Sequence, residues 1–341
     1  MVSVKLQAAS SRPLAIAKNL PSTLEFPGKT LETITIGEIK QAIAKQCPQF
    51  YTDRQRITAS APVKPTDKNE KVARPKVLAD RTTLQEAGLD ASSNTLYVKD
   101  LGTQVSYRTV FIVEYIGPLL IHPVVYHLPK LIYGKDVQHS QLQTVAYTLV
   151  MLHFLKRELE TIFVHRFSHA TMPVGNLFRN SAHYHLLSGL LLSLALYGPW
   201  YSQGSLSAKH TSAAPSVLLG WAWPSNDTAS LAKWIIIWTF AEISNFHAHL
   251  TLRNLRPANN PTARGIPRGY LFEYVSCPNY TFEILAWIAF TFMTKSWASL
   301  IFIIAGTTPM VIWAIKKHKA YRREFGSEYP RNRKIIVPFL F

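Results

Sequence analysis

Phe111-Ile-Val-Glu114-Tyr115-Ile-Gly-Pro118-Leu-Leu-Ile-His122-Pro-Val-Val-Tyr-His-Leu128 is where the chain changes character. The stretch carries a single carboxylate and no Lys or Arg, and its length approaches the roughly 20 mostly apolar residues that cross a bilayer. Five more apolar stretches follow it, at Leu142–Phe163, His183–Trp200, Leu231–His249, Phe282–Phe292 and Ser299–Ile315. Several fall short of a full span or contain charges, which predicts an all-α bundle of about six transmembrane helices with polar interior faces. The fifth and sixth stretches are separated only by Lys295 and its neighbours, as in a tight helical hairpin. Val217–Trp223 is too short to span and is expected at the membrane interface.

Upstream the texture differs. The 341 residues hold 37 Lys+Arg against 20 Asp+Glu, a net charge of +17, and a mean hydropathy of +0.04 averages over two unlike parts. The first hundred residues carry 15 basic and 10 acidic side chains. A hydrophobic content of 48% and two cysteines exclude collagen, a disulfide scaffold and a wholly disordered chain. Cys47 and Cys277 form no CxxC, which excludes zinc fingers and thiol redox motifs. Met1–Gln7 leads into Ser, Arg and Pro rather than an apolar run, so no secretory signal is expected there.

Within residues 1–100, Val2, Val4 and Leu6 alternate with polar residues as in a half-buried strand. Ser22–Phe26, Arg54–Ser60 and Thr95–Val98 read as further strands. Thr35 is placed to cap a helix through Gln46 whose Ile36, Ile39 and Ile43 share one face. Pro62–Pro75 reads as a loose insertion. This order, with Thr83-Leu-Gln-Glu-Ala-Gly88 before the last strand, resembles an α+β ubiquitin-like fold. No Gly-Gly tail follows, which argues against a conjugated modifier. The expected domains are 1–100, a cytosolic ubiquitin-like head, and 101–341, a transmembrane body with a basic cytosolic tail.

Basic residues set the orientation. The tail carries Lys316, Lys317, Lys319, Arg322, Arg323, Arg331, Arg333 and Lys334, and the loop Arg253–Arg268 carries four more. With six spans both termini share the cytosolic side. Tyr201–Ser230 then faces the lumen, with the sequon Asn226-Asp227-Thr228. Juxtamembrane clustering favours topology, anionic lipid or cofactor phosphates over nucleic acid.

Charged residues inside spans are costly and are usually paired or functional. Glu158 and Glu160 lie beside Lys156 and Arg157 and are expected to pair. Glu114 has no cation one turn away. Histidines cluster at His165/His169, His183/His185 and His247/His249, yet only the first pair has HxxxH spacing and no HxxHH exists, so a di-iron site is disfavoured and no metal is expected. No GxGxxG or GxxxxGK[ST] is present, so side chains must hold any nucleotide. Asn245, His249, Arg253 and Arg256 fall at i, i+4, i+8 and i+11, one stripe on a helix. Such a stripe suits an amide, a ribose and phosphates in turn; the alternative is an ordinary cytosolic collar of arginines. Arg264, then Asn279-Tyr280-Thr-Phe-Glu283, then the basic tail complete the candidates.

From Gly102 to Phe341 the chain resembles the steroid 5α-reductase superfamily, in its very-long-chain trans-2-enoyl-CoA reductase branch. The resemblance rests on His249-Leu-Thr-Leu-Arg253-Asn-Leu-Arg256, on Gly269-Tyr-Leu-Phe-Glu-Tyr-Val-Ser-Cys-Pro-Asn-Tyr-Thr-Phe-Glu283 and on Tyr329-Pro-Arg-Asn-Arg-Lys334-Ile-Ile-Val-Pro-Phe-Leu-Phe341. Glu160-Thr-Ile-Phe-Val-His-Arg-Phe-Ser-His-Ala-Thr-Met-Pro173, Glu114-Tyr-Ile-Gly-Pro118 and the ubiquitin-like head mark the branch. In the steroid branch a tyrosine near the end of the second span helps hold the substrate carbonyl; here Phe163 stands at the comparable place. The resemblance implies NADPH-dependent reduction of very-long-chain trans-2-enoyl-CoA in the endoplasmic reticulum membrane, the last step of each fatty-acid elongation cycle. It implies lipid metabolism that feeds sphingolipids, and partners among the elongase, the ketoacyl-CoA reductase and the hydroxyacyl-CoA dehydratase. Tyr280 resembles the family's proton donor. Glu114 and Gln104 are expected to orient the thioester. Asn245, His249, Arg253, Arg256, Arg264, Asn279, Glu283 and Tyr321 are expected to form the NADPH pocket.

Overall fold

The computed structural model describes residues 2–10, 15–61, 75–90, 94–167, 170–208, 219–257 and 264–341. The expected insertion at 62–75, except its last residue, lies outside them, as do His169 and the first two residues of the short patch at 217–223. The chain divides into two units, 1–106 with 170–175, and 107–169 with 176–341.

The first unit is a four-stranded mixed sheet crossed by one main helix. Its elements are β1 (Val2–Ala8), the one-turn α1 (Ala15–Lys18), β2 (Thr23–Phe26), α2 (Ile36–Gln46), β3 (Gln55–Thr58) and β4 (Thr95–Asp100). Strand order is β2-β1-β4-β3, with β1 antiparallel to β2 and parallel to β4. The Thr35 hydroxyl accepts from the Glu38 amide and the Glu38 carboxylate accepts from the Thr35 amide, a reciprocal cap that fixes where α2 begins. Ile36, Ile39 and Ile43 are fully buried in one core with Val4, Leu24, Ile57 and Leu96; each isoleucine contributes about 1.5–3 kcal/mol by leaving water. Arg54 forks onto Asp100 at 2.7 and 3.0 Å, a buried pair joining β3 to β4. A second small sheet pairs β5 (Gln104–Ser106) with β6 (Thr171–Pro173).

The second unit is helical. α3 (Tyr107–His127), the one-turn α4 (Pro129–Tyr133) and α5 (Gln141–Leu159) come first, and α5 runs on through a π turn, Glu160–Val164. α6 (Gly175–Ala182) continues through a π-helical segment, His183–Leu191, into α7 (Leu192–Tyr197). The short α8 (Gln203–Ser207) precedes α9 (Thr228–Asn254), α10 (Pro278–Thr294) and α11 (Trp297–Phe325). Helices therefore cover all six apolar stretches, and α3 and α11 with its following turn are long and apolar enough to cross a membrane. Local chemistry explains the boundaries. Ser140 and Gln143 form a capping box at the start of α5, and Asp227 caps α9 by accepting from the Ser230 amide at 2.9 Å. The expected hairpin is present: Lys295 takes φ 51°, turns the chain between α10 and α11, and donates to the Trp223 carbonyl at 3.0 Å. Asn226 of the sequon accepts from the Leu142 amide at 2.8 Å and donates to Gln203 at 3.1 Å, so its side-chain amide is already engaged.

α9 packs along α10, and α3 against α5 and the π-helical segment. Gly117 makes one of these approaches possible, since a Cβ there would overlap the His185 ring. His185 Nε2 lies 2.7 Å from the Val113 carbonyl on the same helix.

Candidate active site

Three helices turn polar faces toward one another. On α5 and its π turn, His153, Lys156, Arg157 and Glu160 recur at one-turn spacing; on α9, Glu242, Asn245 and His249 do the same, and on α10 Asn279 and Glu283. His153 sits between two carboxylates, its Nδ1 2.7 Å from Glu242 and its Nε2 3.3 Å from Glu283. Lys156 reaches Glu242 at 2.8 Å and Asn245 at 2.6 Å. Asn245 passes the network to α10, donating to the Asn279 carbonyl at 2.8 Å and to Glu283 at 3.2 Å. Glu242, Asn245 and His153 are all buried. Charges so placed persist only because each has a partner, since an unpaired ion in this setting costs several kcal/mol.

Arg157 joins a second set. It donates to Glu160 at 3.0 Å and to the Tyr115 hydroxyl at 2.7 Å, and it lies 5.1 Å from the centre of the Tyr115 ring. His249 Nδ1 is 3.1 Å from Glu160. The expected pairing thus holds for Glu160, whereas Glu158 forms no ion pair among the described residues and one of its oxygens has no hydrogen-bond partner. Glu114 is 1% exposed, has Asn180 as a hydrogen-bond partner, and leaves Oε1 unsatisfied.

Glu160, His165 and His249 each present one ligand atom within 4.8 Å of the others. Burial pushes His165 far below its ordinary value. Lys156, at 3.6 Å, and Arg157, at 3.0 Å, already hold the Glu160 carboxylate, so a divalent cation there would meet two positive charges. The group reads as an ion-pair cluster.

Tyr280, on the first turn of α10, packs against the small core of Cys277, Ala314 and Ile336, as Ile284 and Val311 also do. Its hydroxyl makes no hydrogen bond among the described residues, and Lys317, Arg157 and Glu283 lie within electrostatic reach. Tyr321, one turn beyond Lys317, is buried and stacks on Tyr329 at 5.5 Å. The α9 stripe departs from expectation at its end. α9 stops at Asn254 with Leu255 as its cap, so Arg256 lies in the turn that follows. Pro257 explains this, because the residue before a proline avoids helical backbone. There Arg256 donates to the Arg166 carbonyl at 2.5 Å while Arg166 binds the Arg256 carbonyl in return. Burial pushes Arg256 below its ordinary value. Arg253 is half-buried, and its guanidinium makes no ion pair among the described residues. Arg264 is exposed and pairs with Glu324 at 2.8 Å. Gln104 belongs to the first unit, where its amide donates to the Leu101 carbonyl at 3.0 Å and to the Gly102 carbonyl at 3.2 Å.

The structure therefore joins Asn245, Asn279 and Glu283 in one hydrogen-bonded set, ties His249 to its neighbour, and puts Tyr280, Tyr321 and Arg256 around Lys317. Sequence reading left His153 and Lys317 without individual roles and treated Lys156 and Arg157 only as partners for nearby acids. The signal was the one-turn recurrence from His153 to Glu160 inside an apolar helix.

A nicotinamide nucleotide can be tested against these residues. Asn279 Oδ1 is buried with no hydrogen-bond partner, an acceptor waiting for an N–H donor such as a carboxamide. Arg253 has charge to spare for phosphate. The donor set fits.

The family model described as 3-oxo-5-alpha-steroid 4-dehydrogenase matches residues 170–341. The chain belongs to this family of membrane oxidoreductases, as its motifs led one to expect. It is 42% identical over 312 residues to the very-long-chain enoyl-CoA reductase of Dictyostelium discoideum, covering 91% of this chain and 93% of that protein. It is 36% identical over 323 residues to the Caenorhabditis elegans protein named probable very-long-chain enoyl-CoA reductase, covering 91% and 94%. A Mus musculus protein named trans-2,3-enoyl-CoA reductase-like is 32% identical, covering 92% and 79%.

Proposed function

We propose that this chain reduces trans-2-enoyl-CoA of very long chain length to saturated acyl-CoA with NADPH, as the closing step of each elongation round. The observation that carries this reading is similarity over nine-tenths of the chain to proteins named for that activity. In the proposed setting six helices span the endoplasmic reticulum membrane, both termini are cytosolic, and residues 1–100 form a ubiquitin-like head that contacts the other elongation enzymes. The sheet order β2-β1-β4-β3 with one helix across it supports that view of the head.

Asn245, His249, Arg253, Arg256, Arg264, Asn279, Glu283 and Tyr321 would hold NADPH, which would supply the hydride when bound. Asn279 Oδ1, buried without a hydrogen-bond partner, would accept from the carboxamide. As the C–H bond forms at Cβ, the π pair shifts toward the thioester oxygen and an enolate develops on the substrate. Tyr280 then gives its phenolic proton to Cα, and Lys317, within reach of both Tyr280 and Tyr321, stabilises the phenolate left behind. Glu114 orients the thioester end. Arg157, held by Tyr115 and Glu160, keeps the helix faces in register.

Mass spectrometry of the gently purified protein tests the cofactor: retained NADPH is the expected result, and a protein that takes up neither NADPH nor NADH contradicts it.

A further inference from the structure

An apolar groove of about 510 Å³ runs between α10 and α11, lined by Ile284 and Ile288 on one side and Ile303, Ile304, Val311 and Ile312 on the other. Its size falls in the range of small-molecule pockets, roughly 300–1,000 Å³. Two features give it direction. Ile284 and Val311 at one end pack against the same small core of Cys277, Ala314 and Ile336 as Tyr280 does, and Ile288 lies one turn deeper along α10. From Ile303 to Ile312 the groove follows α11 for about 14 Å at 1.5 Å per residue. Past Ile312 the same helix changes chemistry and presents Lys316, Lys317, Lys319, Arg322 and Arg323.

An isoleucine-rich slot with Thr307 and Thr308 midway along it, a phenol one turn along α10 from Ile284 and a row of cations further along α11 match a molecule with an apolar tail, a reacting centre and a polyanionic head in that order. We infer that the groove seats the acyl chain of the substrate, with Cα and Cβ at Tyr280 and the coenzyme phosphates against the basic end of α11. This rests on the enoyl-CoA reading. An acyl chain gains little by leaving lipid for isoleucine, because both are equally apolar. The groove therefore orders the chain rather than concentrating it. Its effect is on turnover of chains long enough to enter, since a misplacement of about 1 Å can cost 10²-fold in rate.

Ile304→Trp and Ile288→Trp fill the groove at positions 58% and 38% exposed, where added bulk meets no tight core. Full-length protein in detergent is assayed with NADPH on trans-2-butenoyl-CoA and trans-2-octadecenoyl-CoA. The ratio of kcat for the long to the short substrate is expected to fall about tenfold or more. Ile236→Trp, at a 68% exposed position on α9 away from the groove, is expected to leave that ratio unchanged. Unchanged ratios in both groove variants overturn the inference and assign the groove to bulk lipid. A wild-type protein that reduces neither substrate overturns the enzyme reading itself. Should the variants fail to fold, a diazirine-tailed octadecenoyl-CoA bound to wild-type protein decides: labels within residues 284–312 support the groove, and labels confined elsewhere overturn it.

Discussion

The side-chain amide of Asn245 donates to the main-chain carbonyl of Asn279 at 2.8 Å, fastening the middle of α9 to the opening turn of α10. The same side chain accepts from Lys156, so one residue holds three helices. Asn245→Ala leaves a buried carbonyl and an ammonium short of a partner, a loss of about 1–3 kcal/mol. Thermal unfolding in detergent is expected to show a lower Tm and a smaller upward shift on adding NADPH. A full NADPH shift would place Asn245 outside the cofactor pocket.

Tyr280 is the second test. Its hydroxyl is free of protein hydrogen bonds among the described residues. Tyr280→Phe is expected to fold and bind NADPH while turnover falls by about 10²–10⁴-fold. Near-normal turnover would mean that water or another group protonates Cα.

Cofactor choice rests on the arginines past α9. A guanidinium fork suits phosphate oxygens, and Arg256 is anchored by Arg166 with part of its fork in reserve. Arg256→Ala is expected to raise the apparent KM for NADPH more than that for NADH. Equal effects on the two would move Arg256 away from the 2′-phosphate.

The head supplies a fourth prediction. Residues 1–100 contain no histidine and no acid placed for chemistry, so removing residues 1–95 is expected to leave measurable enoyl reduction in detergent while weakening association with other elongation enzymes. That cut also removes Arg54 from Asp100 and Tyr51 from the Gln104 amide, which it meets at 2.7 Å. A folded truncation that binds NADPH and turns over nothing would give the head a part in the active site.

What sequence reading captured had local causes. Thr35, Ile36, Ile39 and Ile43 announce α2 through a cap and a period, and Lys295 between two apolar runs announces the α10–α11 turn. Asn245, Asn279 and Glu283 were legible as motif residues. Their mutual hydrogen bonds were not, because those depend on how α9 and α10 pack. His153 was missed for the same reason: its partners, Glu242 and Glu283, are far away in sequence. The end of α9 was misjudged because the i, i+4, i+8, i+11 pattern continues through Arg256 while Pro257 forbids the helix to follow. β5 and β6 went unseen since three-residue strands carry no period and pair across 67 positions.

Turnover by the purified, detergent-solubilised full chain tests the central claim most directly. Given NADPH and trans-2-hexadecenoyl-CoA in one reaction and NADPH with a 3-keto-4-ene steroid in another, it is predicted to oxidise NADPH in step with formation of hexadecanoyl-CoA and to leave the steroid untouched. Reduction of the steroid with no loss of enoyl-CoA would contradict the account.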